Sequence, residues 1–202
     1  MADNPHIVRS GRGRFFDMGN QREATVDDLY HIPEHGKAEI VNGELVLMTP
    51  SGGLHGYAVG LIYASLLDYA RRTKRGVALP DNVGFIVNLP HRRSFSPDVV
   101  FWTGGPLTAK FLEGAPTFAV EIRSEEDYGL AAERAIAAKR ADYFVAGTLV
   151  VWDVDVLDAH LVHVYRAENP ATPTEYGRGE NANAEPALPS WSIPVDDLFP
   201  PA

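Results

Sequence analysis

Three residues carry the chemistry open to this sequence: Asp98, Glu121 and Lys139. Asp98 stands directly before the apolar run Val99 to Trp102, and Glu121 interrupts the strand-like run Thr117 to Ile122, TFAVEI. An unpaired carboxylate among such neighbours costs roughly several kcal/mol, so both acids need a neutralising partner. If their strands are neighbours and the side chains converge, repulsion raises one pKa unless a cation holds both ionised. A hard divalent ion with oxygen ligands does this, and magnesium or manganese fits. Strand alternation places Arg123 on the face of Glu121. Its guanidinium can bind phosphate but cannot serve as a titrating base. A lysine must therefore come from elsewhere. On the helix that follows, Ala132, Ile136, Lys139 and Tyr143 share one face, and Lys139 is the charged member of an otherwise core-facing stripe. Plainer readings stand beside these: Asp98 as a strand-start cap, Glu121 as half of a buried pair with Arg123 or Lys139, Tyr143 and Trp152 as core, and Asp153 and Asp155 as solvated acids.

The elements that must position these groups follow from spacing. Thr25-Val26-Asp27-Asp28 opens a short helix through about Ile32, which Pro33 to Gly36 breaks. AEIVNGELVLM carries Asn-Gly between alternating apolar residues and predicts a β-hairpin pairing Glu39–Val41 with Glu44–Met48. His55, Val59, Ile62, Leu66 and Tyr69 trace a helical stripe over 54–73, with Gly76 as its stop. Strands are expected at 77–79, 85–89, 97–102, 117–122, 149–154 and 161–166, with a short helix near Pro106 and a longer one over 130–146. Residues 167–190, rich in Pro, Ala, Asn and Gly, read as an irregular excursion before WSIPVDDLF. The order predicts an α/β (α+β) fold: a central mixed sheet flanked by helices, preceded by a β-hairpin.

At 202 residues, 45% hydrophobic and 22% charged, the chain can bury a full core. One domain over 25–199 with an N-terminal arm over 1–24 is the simplest division. No apolar run is long enough to span a membrane and the N-terminus lacks a signal-peptide centre, so cytoplasmic localisation is expected. Without cysteine, only carboxylates and the seven histidines remain as metal ligands. A net charge of -9 excludes coating of nucleic acid by bulk electrostatics. It leaves room for local basic patches at Arg9, Arg12 and Arg14, at Arg71, Arg72, Lys74 and Arg75, and at Arg92 and Arg93. The second patch also suits the negative end of its helix dipole.

Taken together, Pro97-Asp98, Glu121 to Ser124 (Glu-x-x-Ser), Lys139 to Tyr143 (Lys-x-x-x-Tyr) and Trp152-Asp153 resemble the Uma-type restriction endonuclease family, a branch of the PD-(D/E)XK nuclease superfamily. The hairpin resembles the family's opening Glu-x-x-x-Gly-Glu-Leu, His55 its early helix histidine, and VDDLF its close, over about residues 25–199. The resemblance implies a restriction-endonuclease-like fold and a magnesium- or manganese-dependent endonuclease acting on phosphodiester bonds of DNA, working as a homodimer. It implies Asp98, Glu121 and the main-chain carbonyl of Ile122 as metal donors, and Lys139 as the group that orients water or stabilises developing charge. Supporting roles fall to Glu39 or Glu44, either of which is otherwise a hairpin surface residue, to His55 at phosphate or metal-bound water, and to Arg123 and Ser124, the last as ligand donor or loop cap. The superfamily usually carries lysine two residues after the glutamate. Arg123 departs from that pattern, and the resemblance implies that the lysine has moved to the helix as Lys139. Two other classes remain: a non-catalytic interaction or scaffold module of the same fold, and a phosphoesterase acting on RNA or nucleotides.

Overall fold

In the computed structural model, residues 7–9, 14–16, 23–32 and 36–201 are described, the first two segments by their backbone alone. The patch Arg9, Arg12 and Arg14 and the Pro33–His35 part of the predicted break lie outside the described side chains. The elements run β1 (Ile7–Arg9), β2 (Arg14–Phe16), α1 (Val26–Tyr30), β3 (Lys37–Val41), β4 (Glu44–Met48), α2 (Gly53–Thr73), β5 (Val77–Leu79), β6 (Phe85–Ile86), β7 (Ser94–Phe95), β8 (Val99–Trp102), β9 (Leu112–Glu113), β10 (Phe118–Ile122), α3 (Leu130–Val145), β11 (Val150–Asp155), β12 (Leu161–Arg166), β13 (Asn169–Tyr176), β14 (Asn181–Asn183) and β15 (Ser192–Pro194). A short 3-10 helix, Val195–Leu198, closes the chain.

The centre is a six-stranded mixed sheet in the order β13-β12-β11-β10-β8-β5, parallel only between β10 and β11. Its pleat divides the core. Val99, Phe101, Phe118, Val120, Ile122, Trp152 and Val154 face α2 and the C-terminal turn, packing with Ile62, Leu66, Trp191 and Leu198. Val100, Trp102, Ala119 and Val151 face the other way, toward Phe85, Phe95 and Tyr143 of α3. Alternation therefore puts Asp98, two residues before Val100, and Glu121, two after Ala119, on this second face. The antiparallel pairs Ala119↔Val100 and Val120↔Val99, continued one step, set Glu121 across from Asp98.

The hairpin forms as its Asn-Gly demands. Asn42 and Gly43 both take positive φ, 52° and 76°, the hand of a two-residue turn that matches strand twist, and Val41 pairs with Glu44. β1 and β2 extend this ribbon into a four-stranded sheet, β1-β2-β4-β3. Because β3 alternates, Ile40 enters a small core with Leu29 and Leu45 while Lys37 and Glu39 face the opposite way.

Several expectations are corrected. Ala58 rather than Val59 belongs to the fully buried stripe of α2, although Val59 packs beside it. The helix stops at Thr73, with Lys74 at φ 57° as its left-handed cap. Gly76 serves another need: a Cβ there would lie 2.5 Å from the Trp102 carbonyl oxygen, so only glycine lets this segment approach β8. The run 85–89 yields strand only at Phe85–Ile86, in a separate sheet β7-β6-β9. Near Pro106 there is no helix, and the Trp102 indole instead donates to the Gly105 carbonyl at 2.9 Å. Residues 167–190 contain β13 and β14; the exposed, proline-bearing β13 is an edge strand, whose burial is too slight to leave an apolar pattern.

What docks the hairpin sheet against α3 is Arg92, whose side chain is 7% exposed. Its Nη1 donates to Glu39 Oε2 at 2.5 Å and its Nε to Asp142 Oδ2 at 2.7 Å. Arg92 is therefore no part of an open basic patch with Arg93: it is consumed by this buried bridge, while Arg93 bonds Asn88. Removing one partner of a buried ion network strands the others. Arg92→Ala is therefore expected to destabilise the chain by about 3–5 kcal/mol in urea unfolding, whereas Arg93→Ala changes stability by less than about 0.5 kcal/mol.

Candidate functional site

Where the hairpin sheet, the central sheet, α3 and the N-terminus of α2 meet, an open cleft of about 1060 Å³ collects Lys37, Glu39, His55, Asp98, Glu121 and Lys139 along its wall. Asp98 immediately precedes β8 and Glu121 lies in β10, β3 supplies Lys37 and Glu39, and the helices reach in from either side.

Asp98 is almost fully buried. Its Oδ1 accepts from Lys37 Nζ at 2.9 Å, and its Oδ2 accepts from the Ile122 main-chain N–H at 2.8 Å and lies 3.2 Å from His55 Nε2. Burial alone would raise its pKa, but the His55 hydrogen bond, the Lys37 charge and the Ile122 N–H outweigh it and hold the carboxyl well below its usual range. His55 moves in the complementary direction. Burial disfavours its cation, yet the hydrogen bond and charge of Asp98 leave its pKa above the ordinary histidine value.

Glu121 opens toward the cleft, its side chain 24% exposed. Lys139 Nζ lies 2.8 Å from Oε2, and Tyr143 donates its hydroxyl to Oε1 at 2.6 Å. Burial pushes the Glu121 pKa up to about 6; Lys139 opposes this, while the charges of Asp98 and Glu39 add to it. Glu39, 3% exposed, accepts from the Ser96 N–H at 2.9 Å and holds Lys139 Nζ at 2.8 Å. Burial would raise it too, but Lys139 and Arg92 bring its pKa below the usual value. Lys139, despite burial, is held protonated by Glu121 and Glu39.

Of the residues singled out from sequence, Asp98, Glu121, Lys139, Glu39 and His55 converge. The other residues divide among the roles open to them. Glu44 is exposed at the hairpin turn opposite Val41, so the choice between the two hairpin acids falls on Glu39. Arg123 has no free fork: it is bidentate to Asp153 at 2.7 and 2.8 Å and reaches Glu133 at 2.6 Å. Ser124 donates its N–H and hydroxyl to Asp127 Oδ2, at 2.8 and 2.7 Å, and so caps its own turn. Ile122 meets Asp98 through its N–H. Asp153 and Asp155 are not solvated; each is 3% exposed, the first paired with Arg123 and the second accepting the Leu157, Asp158 and Ala159 N–H groups and the Tyr128 hydroxyl. Trp152 is core, as expected. Tyr143 is core as well, stacked on Phe95 at 4.0 Å between ring centroids, but its hydroxyl belongs to the site.

Sequence reading missed Lys37, Asp81 and Asp142. Lys37 had a usable signal, since it stands two residues before Glu39 in a strand and so shares its face. Asp142 holds Arg92 and also His91, whose Nε2 lies 2.7 Å from Oδ1. Asp81, outside any strand or helix, had none.

Across the cluster, the carboxylates of Glu39, Asp81, Asp98, Glu121 and Asp142 face three permanent cations, Lys37, Arg92 and Lys139, which leaves two negative charges with the imidazoles neutral. The elevated Glu121 pKa comes first from burial, and the charges of Asp98 and Glu39 add to it. Among the described residues, no group of three or more His, Asp or Glu is arranged around one point. This donor set fits a magnesium-type ion, which takes one or two carboxylates and keeps water or substrate oxygens for the rest, rather than a fully caged metal.

No curated protein matches the chain significantly. Among solved structures, the chain is similar to a crystal structure described as a "putative nuclease belonging to DUF820" from Anabaena variabilis, at 18% identity and a TM-score of 0.69, over 87% of this chain and 97% of that one. At that identity the likeness establishes the fold, a nuclease-type mixed sheet. The model of the family described as "Putative restriction endonuclease" matches residues 25–196, through every element that builds the cleft, and the chain belongs to that family, Uma2.

Proposed function

We propose that the chain is a divalent-metal-dependent endonuclease that hydrolyses phosphodiester bonds of DNA. The observation that carries this reading is the Lys139 ammonium, held protonated between Glu39 and Glu121 in an open cleft that also presents the Asp98 carboxylate. Asp98 and Glu121, with the carbonyl of Ile122, would hold magnesium or manganese, which supplies polarisation of the scissile phosphate and a more acidic attacking water. Asp98 is ionised at any physiological pH, so it offers a ready ligand. Lys139 cannot act as a base while it stays protonated; its part is to offset the negative charge that develops on the phosphoryl oxygens. Glu39 and Tyr143 fix the two groups that do so: Glu39 anchors the ammonium from the hairpin side, and Tyr143 orients Glu121. DNA is favoured over RNA by the family's description, and duplex symmetry favours a homodimer that presents one cleft to each strand. No described helix is long and apolar enough to cross a membrane, in keeping with a cytoplasmic enzyme.

The test is cleavage of plasmid, single-stranded DNA and RNA with magnesium, manganese, calcium or chelator. Cleavage of DNA only with magnesium or manganese is expected, and Asp98→Asn, Glu121→Gln and Lys139→Met should each lose ~100-fold or more in rate while remaining folded. RNA cleavage without DNA cleavage would move the substrate to the RNA reading. A melting temperature indifferent to divalent ions, with no cleavage of any substrate, would leave a scaffold.

The protonation of Glu121 gives a second prediction. Its folded pKa of about 6 lies above the ordinary 4.5, so the folded state binds this proton more tightly than the unfolded chain does. The metal-free protein should therefore lose up to about 2 kcal/mol of stability as pH rises from below 4.5 through and beyond about 6 on account of this group. In chelator at pH 7.5, Glu121→Gln is expected to melt no lower than the parent chain, and metal binding by the parent should weaken as pH falls below about 6. Melting curves and manganese titrations across pH check both.

A further inference from the structure

Lys37 has two carboxylates, and only one of them belongs to the proposed metal site. Its Nζ lies 2.9 Å from Asp98 Oδ1 and 2.6 Å from Asp81 Oδ1, with the lysine side chain 16% exposed. Asp98 is buried at the floor of the cleft, whereas the Asp81 side chain is 38% exposed at its rim. Asp81 is also held in place, because its Oδ1 accepts the Asn82 N–H at 2.6 Å in a turn where Asn82 takes φ 69°. The ammonium thus stands between the carboxylate that a divalent ion would need and a second, fixed carboxylate one hydrogen bond away.

We infer that Lys37 is the resident cation of the metal site and Asp81 its alternative anchor: in the metal-free protein Lys37 neutralises Asp98, and when a divalent ion takes Asp98 the ammonium is held by Asp81 alone. This rests on the reading of Asp98 as a metal ligand and adds two positioning residues to it. The physical need is plain. Without a cation, Asp98 would be an uncompensated buried charge facing Glu121 across one strand pair; with both cations on Oδ1, lysine and metal would repel at close range. A carboxylate at the rim removes the conflict, since the ammonium keeps a full counter-charge while staying within the same pocket. Two consequences follow. Lys37 lowers metal affinity by competing for Asp98, and Asp81 raises it by holding Lys37 aside. Asp81 therefore acts through Lys37, not through its own charge on the metal.

The experiment is a double-mutant cycle on manganese affinity of the full chain, followed by calorimetric titration and by the spin-resonance signal of free manganese, with melting of each variant in chelator. Lys37→Gln is expected to bind manganese about tenfold or more tightly than the parent, and Asp81→Asn about tenfold or more weakly. In the Lys37→Gln background, Asp81→Asn should then change affinity by less than about twofold. An Asp81→Asn effect of equal size in both backgrounds would overturn the inference, because Asp81 would then be only a distant negative charge. So would a Lys37→Gln protein that binds no more tightly than the parent. If Lys37→Gln fails to fold, Lys37→Met, which keeps the apolar stem and removes the charge, takes its place in the cycle with the same expected outcomes. Failure of the nuclease reading looks different: tighter manganese binding in Lys37→Gln with no cleavage of any nucleic acid would sustain the cation exchange and remove the enzyme.

Discussion

The ammonium of Lys139, 2.8 Å from carboxylates on two different sheets, is the contact on which the site depends. Glu39 comes from the hairpin ribbon and Glu121 from the central sheet, and neither is tolerable in its place alone. Glu39 is buried, and Glu121 is already driven upward in pKa by burial and by neighbouring acids. Lys139 lets both sheets bring a negative charge to the same cleft, and the helix that delivers it is thereby fixed against both. Arg92 repeats the arrangement one layer deeper, between Glu39 and Asp142. Carboxylates and cations alternate from Asp142 through Arg92, Glu39 and Lys139 to Glu121, so each inner side chain is oriented by two neighbours. Networks of this kind contribute little net stability compared with apolar packing, but they are unforgiving of displacement, which is what a catalytic constellation requires.

Sheet geometry sets the rest. Antiparallel pairing of β8 with β10 puts Asp98 across from Glu121, and parallel pairing of β10 with β11 puts Asp153 beside Glu121 in turn. Three carboxylates therefore stand in a row on one face, and the structure gives each a different counter-ion: Lys37, Lys139 and Arg123. A one-residue slip in either pairing would send the acids into the apolar layer under α2, where Phe118, Val120 and Trp152 pack, and no cation waits there. The apolar pattern of these strands thus selects the register, and the register assembles the site.

That dependence explains what was legible in the sequence. The apolar run interrupted by Glu121 and the Asn-Gly hairpin marked their strands, and the lone charge on the α3 stripe pointed to Lys139. Asp153 was misread because its strand alternates a charge inward that is satisfied by Arg123, and a chain offers no sign of which ion pairs will be buried. Asp81 and Asp142 were invisible for the same reason: they sit in a turn and on a helix flank where acids are ordinary. β13 escaped because an edge strand with little burial carries no apolar alternation.

The position of the lysine can also be understood from the fold. Arg123 stands two residues after Glu121, and its fork is spent on Asp153 and Glu133. Glu133 lies in the first turn of α3, so Arg123 ties the start of that helix to the central sheet. Asp142 and Tyr143, near its other end, are tied to Arg92 and to Glu121. Lys139 lies between these two anchorages and one turn before Tyr143, on the same face. An arginine on the strand and a lysine on the helix are thus a single arrangement: the strand residue gives up the chance to serve the cleft, and by clamping α3 it lets the helix bring an ammonium to Glu121 from above the sheet. A lysine at 123 could not replace it without loss, because a single ammonium cannot hold Asp153 bidentately and reach Glu133 as well.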